Sequence, residues 1–459
     1  MTTFRRTARD LLALAAPMVT VQVGLMTMGV VDTAMVGRVS PAGLAAVALG
    51  SLYFFMVSIF GVGVLMALDP VVAQGVGAGD RAAVARGIQR GLVMAGALTL
   101  WTSVWLWPAR PLLALLRQPP DVVPIAAAYA RTLIPGMLPF FVFVVLRQSL
   151  QAMGRLAPIV VAIVAANLAN VFLNWVLIFG HVGFPALGAV GSGWATSLSR
   201  WLMTVGLLAG AWPLLRPHLL PVERQAAAWG PIVRMLRIGI PIGLQHQLEF
   251  GAFAVAALLM GTLGTIQMAA HQVALNLASL TFMVPLGVGG AGAVLVGQAV
   301  GRGDAAGARR AALASLVAGA GFMAGCAVAM LTVPDLLASV YTGDRAVLAL
   351  AATLIPIAGL FQVFDGIQVV SMGALRGVGD TRGPMLISLF GFWLVGLPVS
   401  VYLGFGAGAG PVGIWWGLVA GLAAVAGLLL VRVRRRFQGP LARLVIDSMD
   451  EAGSPQSAA

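Results

Sequence analysis

Apolar runs of roughly twenty residues recur along the whole chain, and no other feature limits the fold as much. As helix, such a run rises about 30 Å, the thickness of a bilayer's hydrocarbon core. Twelve of them can be counted, at 11–36, 43–69, 87–108, 122–146, 157–180, 187–213, 235–261, 267–297, 307–333, 346–372, 384–404 and 411–432. Short breaks rich in charge, Gly and Pro separate them, among them "VGRVSPAG", "VGRGDAAGARR" and "RGVGDTRGP". The runs are continuous rather than alternating, which argues against a β-barrel. With 60% hydrophobic and 9% charged residues and a mean hydropathy of +0.96, 459 residues hold too little polar surface for a water-soluble globule. The chain reads as an all-α polytopic membrane protein with twelve transmembrane helices.

A net charge of +13 raises the thought of nucleic acid, but the placement of the charge excludes it. All 28 basic residues are Arg, and they sit in short loops between spans. With both termini cytoplasmic, 22 of the 28 fall on the inner side. Arg38, Arg110, Arg117, Arg131 and Arg345 fall outside, and Arg200 falls within span six. The single cysteine, Cys326, permits no disulfide within the chain and is expected to be a buried, inert thiol. "MTTFRRTARD" precedes a span too long for a signal-peptide core, so the first span is read as a retained helix.

The halves repeat. "VAQGVGAGD" (72–80) matches "VGQAVGRGD" (296–304) at an offset of 224, which also pairs Pro17 with Pro241 and Gly37 with Gly261. "LNWVLIFG" (173–180) resembles "PVSVYLGFG" (398–406) at 226, and "AVGSGW" (189–194) resembles "PVGIWW" (411–416) at 222. Six spans per repeat is an even number, so the halves share one orientation. That is the parallel-repeat plan of secondary transporters. The expected organisation is an N-terminal lobe at 1–213, a cytoplasmic connector at 214–234, a C-terminal lobe at 235–436, and a polar tail at 437–459 that is mobile at its end.

Most of the 15 acidic residues lie at span ends or in loops. Three do not: Asp32 in span one, Glu249 in span seven and Asp365 in span ten. A carboxylate deep in a bilayer costs about 2.5–3.5 kcal/mol on insertion scales, so such a group faces a cavity, binds a cation or carries a proton. None of the three has an Arg within a helical turn on its own span. Gln245 and His246 share a helical face with Glu249, and Phe253 follows one turn on. Gln362, Gln368 and Phe361 stand in the same relation to Asp365. Acids, amides and rings together suit a large, partly apolar cation, through charge pairing and cation–π contact. The plainer reading is that the glutamines glue helices and the phenylalanines pack.

A second polar stripe runs along span five, with Asn170 and Asn174 four apart. Thr196 in span six can join it. Amide oxygens there can help ligate Na⁺ or hold a protonated carboxyl. Gln267 and His271 are likewise four apart in span eight. Asp69, before Pro70, reads as a helix-end residue. Pro17, Pro241, Pro285, Pro356 and Pro398 lie within spans and can bend them. No P-loop, metal or redox motif is present, and no sizeable soluble domain exists to couple ATP. No catalytic set falls at water-exposed positions, so no enzyme activity is expected.

"VDTAMVGR" (31–38), "VAQGVGAGD" (72–80), "NVFLNWVLIFG" (170–180), "IPIGLQHQLEFGAFAVAALLMGTLGT" (240–265) and "FQVFDGIQVVSMGALRGVGDT" (361–381) resemble, in collinear order, the multidrug and toxic compound extrusion family, and within it the NorM-like branch. The resemblance implies a two-lobe antiporter of the bacterial cytoplasmic membrane, exporting organic cations on inward Na⁺ or H⁺ flow. It implies Asp32 as first-lobe cation acid, with Asn170, Asn174 and Thr196 as companions, and Glu249 and Asp365 as the second-lobe pair. If Na⁺ is the coupling ion, the three carboxylates are its ligands. Gln245, His246, Phe253, Gln267, His271, Phe361, Gln362 and Gln368 are the expected substrate contacts. Beyond the coupling ion no cofactor is expected. The partners are small organic cations and membrane lipid, not nucleic acid, and the protein is expected to be a monomer. Asp69 stands where the family pattern leads one to expect an uncharged residue. A lipid-linked precursor flippase of the same superfamily would want an Arg-lined cavity, which Arg200 alone does not supply.

Overall fold

The computed structural model describes residues 2–115 and 118–447. Among them are helices and turns, and no strand. The first half contains α1 (Thr2–Val36), α2 (Pro41–Leu65), α3 (Leu68–Gly77), α4 (Arg81–Leu106), α5 (Ala109–Leu115), α6 (Val123–Thr132), α7 (Met137–Ala152), α8 (Ala157–Phe179), α9 (Gly188–Gly210) and α10 (Trp212–Leu219). The second contains α11 (Trp229–Leu263), α12 (Thr265–Gly301), α13 (Ala305–Thr332), α14 (Pro334–Ser339), α15 (Arg345–Gly377), α16 (Arg382–Ser388), α17 (Leu397–Val401) and α18 (Gly410–Gln438). Ten stretches are long and apolar enough to cross a membrane, and two bent pairs raise the number to twelve. α4 and α5 meet at 54° across a break that holds Pro108, and α9 and α10 meet at 86° beside Pro213. Proline supplies no N–H and disfavours helix at the residue before it, so both bends have a covalent cause.

The repeated "GD" strings turn out to be helix punctuation. Gly79 and Gly303 adopt left-handed φ angles of 70° and 73° and end their helices. Asp80 then accepts the Ala83 N–H at 2.9 Å, and Asp304 accepts the Gly307 N–H at 2.7 Å, capping α4 and α13. In "RGVGD", Gly379 turns likewise, but Asp380 instead takes a two-pronged contact from Arg432 at 2.7 and 2.9 Å.

Two compact units emerge. One comprises Met1–Val19 with Leu244–Leu444, the other Thr20–Gly243 with Val445–Ala459, of which Val445–Asp447 are described. We call them the C-unit and the N-unit. Their boundaries differ from the expected 213 and 235: they cut α1 and α11 at positions exactly one repeat offset (224) apart, just past Pro17 and Pro241. In the N-unit, the first half of α11 lies so close to α2 that a Cβ on Gly63 would stand 2.6 Å from the Gly243 Cα. In the C-unit, a Cβ on Gly287 would stand 2.6 Å from the Val19 side chain. These two contacts are the same contact made twice, since Gly63 and Gly287 are also 224 apart.

Four sequence expectations change. The connector is not plain loop, since α10 occupies Trp212–Leu219 and a 3₁₀ turn occupies Arg224–Ala227. Helix α18 runs on to Gln438, so the tail begins later and is anchored at Asp447. Arg90 and Arg147 are not loop charges but lie in helices and are buried. Cys326 is only partly buried, because an apolar helix face in a lipid solvent need not face protein.

Candidate functional sites in the two units

Asp32 is 4% exposed, near the end of α1. The Asn174 amide donates to its Oδ1 at 2.6 Å and the Thr196 hydroxyl donates to its Oδ2 at 2.5 Å. The Asn174 amide also reaches Asn170 Oδ1 at 3.0 Å. All four expected first-lobe residues therefore converge. They do so because Asn170 and Asn174 stand one turn apart on one face of α8, against α9 and its Thr196. The Asn174 Oδ1 has no hydrogen-bond partner, which leaves a free oxygen acceptor inside the cluster.

The sequence reading missed the outer shell of this cluster. The Arg200 guanidinium lies 4.3 Å from the Phe54 ring centroid and 4.8 Å from that of Phe140, within electrostatic reach of Asp32. Its Nη1 has no hydrogen-bond partner. The Tyr129 hydroxyl, also within reach of the Asp32 charge, is 3.1 Å from the Ser51 hydroxyl. The available signal was spacing: Arg200 follows Thr196 by four residues and so shares its face. Asp69 is 5% exposed, in the first turn of α3, and its charge acts on buried Arg147, which donates to Gln22 at 3.2 Å.

In the C-unit, the Gln368 amide donates to Glu249 Oε1 at 2.9 Å, joining the two acid-bearing helices α11 and α15. Asp365 is 7% exposed and lies within reach of the Glu249 charge. The two carboxyl groups stand on helices joined by that hydrogen bond, and a cation or a proton shared between them would offset their mutual repulsion. Gln362 donates to the Thr281 hydroxyl, and Gln245 donates to the Met372 sulfur at 2.6 Å. Neither amide is directed at an acid. Phe361 forms an edge-on cluster with Phe253 and Trp415, at 5.9 Å in each case, and Phe253 also meets Phe392 at 6.1 Å. His271 is fully buried beside Trp415 at 5.6 Å, and neither of its ring nitrogens has a partner. His246 stays partly exposed on α11, and Gln267 lies over Gly264 at the start of α12. Of the expected substrate contacts, Gln368 is one that bonds to an acid. Among the described residues no group of three His, Cys, Asp or Glu gathers, so a cation here would take carboxylate, amide and hydroxyl oxygens.

Twelve spans in two copies of one six-span plan, with carboxyl groups buried inside each unit, define a duplicated polytopic membrane protein of the secondary-transporter build. The MatE family model matches residues 17–176 and 241–402, one block per repeat. The chain belongs to the MatE family. It is 39% identical over 442 residues to a probable multidrug resistance protein NorM of Mesorhizobium japonicum, covering 94% of this chain and 95% of that protein. It is 36% identical over 444 residues to the multidrug resistance protein PmpM of Pseudomonas aeruginosa, covering 94% and 92%. The fold matches the crystal structure of the eukaryotic MATE transporter AtDTX14 with a TM-score of 0.86 at 22% identity, over 95% of this chain and 99% of that one. It also matches the bent form of the Vibrio cholerae MATE transporter VcmN with a TM-score of 0.84 at 19% identity, over 95% and 98%.

Proposed function

We propose that the protein is a cation-coupled multidrug antiporter, exporting lipophilic organic cations by alternating access from the bacterial cytoplasmic membrane, with both termini cytoplasmic. The observation that carries this reading is the Glu249–Asp365 pair, an acid pair inside the membrane whose charge calls for a cation or a proton. The names of the relatives support multidrug compounds as the cargo. Inward Na⁺ or H⁺ and the outbound organic cation compete for carboxyl groups that cannot hold both. Coupling follows because the two ligands favour different conformational states. Asp32, with Asn170, Asn174 and Thr196, forms the second cation-responsive group. Proteoliposomes preloaded with ethidium test the reading. Efflux on an imposed inward Na⁺ or H⁺ gradient, lost in Asp365→Asn, is the expected result and names the ion. Efflux under neither gradient overturns it and directs the search to lipid-linked substrates.

A further inference from the structure

The two units carry one hydrogen bond in two chemical versions. In the N-unit the Asn167 amide on α8 donates to the Gly24 carbonyl of α1 at 3.0 Å. In the C-unit the Trp393 indole N–H donates to the Leu248 carbonyl of α11, also at 3.0 Å. Gly24 and Leu248 are 224 residues apart, the repeat offset, and Asn167 and Trp393 are 226 apart, the offset that holds at the ends of the same spans. Both acceptors lie inside long helices, so each carbonyl takes the foreign donor on its second lone pair.

The C-unit version comes with a local change of helix type. Gly154 and Gly379, left-handed at φ 70° and 76°, precede α8 and α16 and are 225 apart. The offset is 226 by Trp393, so the eleventh span has gained one residue in between. A π-turn is what one inserted residue makes of an α-helix. The segment Leu389–Gly396, which holds Trp393, is π-helical, whereas α8 stays regular through Asn167. The inserted residue thus accompanies the exchange of a short amide for a long indole. α11 makes room for the ring with Gly251, where a Cβ would stand 3.2 Å from the Trp393 Cζ2.

The consequence differs between the units. The Leu248 carbonyl belongs to the same peptide plane as the Glu249 nitrogen, so the indole holds the backbone of the acid itself. In the N-unit the held carbonyl is eight residues, about two turns, before Asp32. Glu249 is therefore fixed at two points, by Gln368 on its carboxylate and by Trp393 on its peptide.

We propose that Trp393 is a positioning residue for Glu249, its indole N–H setting where that carboxylate meets the coupling cation. This rests on the antiporter reading above. The test measures gradient-driven ethidium efflux in proteoliposomes against the concentration of the driving cation. Wild type is compared with Trp393→Phe, Trp393→His, Gly251→Ala and Glu249→Gln. Trp393→Phe keeps a ring and loses the donor. It raises the half-saturating cation concentration about threefold, the usual worth of one interhelical hydrogen bond in a membrane protein, and leaves the maximal rate near wild type. Trp393→His places a ring N–H where the indole had one and restores the affinity. Gly251→Ala displaces the ring and shifts affinity the same way as Trp393→Phe. An unchanged half-saturation in Trp393→Phe alongside an inactive Glu249→Gln overturns the positioning role and leaves the antiporter reading intact. Equal loss of maximal rate in the Phe and His variants, with affinity unchanged, also overturns it and makes Trp393 a packing residue. Full activity in Glu249→Gln removes the antiporter reading of Glu249, and the inference falls with it.

Discussion

The two units solve the problem of an acid in a membrane in opposite ways. In the N-unit, Asp32 is satisfied by its own protein: two neutral donors hold its two oxygens, and Arg200 stands within electrostatic reach. In the C-unit, Glu249 and Asp365 lie within reach of each other's charge, and the Gln368 amide joins their helices. The repeat makes the contrast sharp. The position 224 residues after Asp32 is Ala256, and the residue 222 after Arg200, the offset in that stretch, is Leu422. Duplication kept the scaffold and separated the chemistry. The N-unit acid is held by neutral donors on both oxygens, whereas the C-unit sets two acids on helices joined through one amide.

The largest effect that could break this comparison is on transport. Glu249→Gln and Asp365→Asn are expected to cut gradient-driven efflux about 5- to 150-fold, the range of ordinary coupling energies, while thermal stability holds or rises because a repulsion is removed. A fall in melting temperature in both variants would mean that the pair is structural. Next comes Asp32→Asn, which sets a new N–H against the Asn174 and Thr196 donors and strips Arg200 of its nearby anion. It should destabilise by about 1–3 kcal/mol in a detergent melt, and adding Arg200→Leu should recover part of that loss. Strictly additive losses would show that Asp32 and Arg200 do not interact.

The smallest effect lies at the arginine-rich ends. In the N-unit, Asp447 takes Arg90 at 2.6 Å and Arg86 at 2.8 Å. Arg310, 224 residues after Arg86, instead reaches its own helix cap, Asp304, at 3.6 Å. Burial works against the Asp447 charge, but hydrogen bonds from Arg90 and then Arg86, with their charges, win and hold its carboxyl below the ordinary value. A depressed carboxyl contributes above its unfolded-state pKa, about 3.9, and loses that contribution as pH falls through the lower value in the folded chain. The segment 439–447 should therefore resist proteolysis at neutral pH and lose that resistance as pH falls below about 4. Asp447→Asn should be cleaved at every pH. Equal cleavage of wild type at pH 7 and pH 3 would show that the ion pair does not hold the tail.

Span number, the internal repeat and the Asn170–Asn174 stripe could be read in the sequence because each depends on local spacing, while the joining of that stripe to Asp32, 142 residues away, was indicated by the family resemblance. The pairing of Gln368 with Glu249 could not, since it joins residues 119 apart across two helices. Gln245 looked like a partner of Glu249 by helical spacing, yet it bonds to Met372, because a neighbouring helix outweighs the helix's own face. Arg147 looked like a loop charge because sequence alone places a span end only to within a few residues, and Arg90, already inside the span at 87–108, was counted with the charges of the preceding loop. The π segment was hidden in the single-residue change of offset between Gly379 and Trp393.

The division of α1 and α11 also bears on how such a chain could have arisen. Each repeat sends the opening half of its first helix to pack with the other repeat's helices, Val19 on Gly287 and Gly243 on Gly63. An ancestral six-span chain would have left that glycine seat bare unless a second copy filled it, so it could have worked only as a pair exchanging helix halves. Fusion of the two genes would then have made an obligatory exchange intramolecular. It would also have released each copy to specialise, one holding a single acid between neutral donors and the other setting two acids on joined helices.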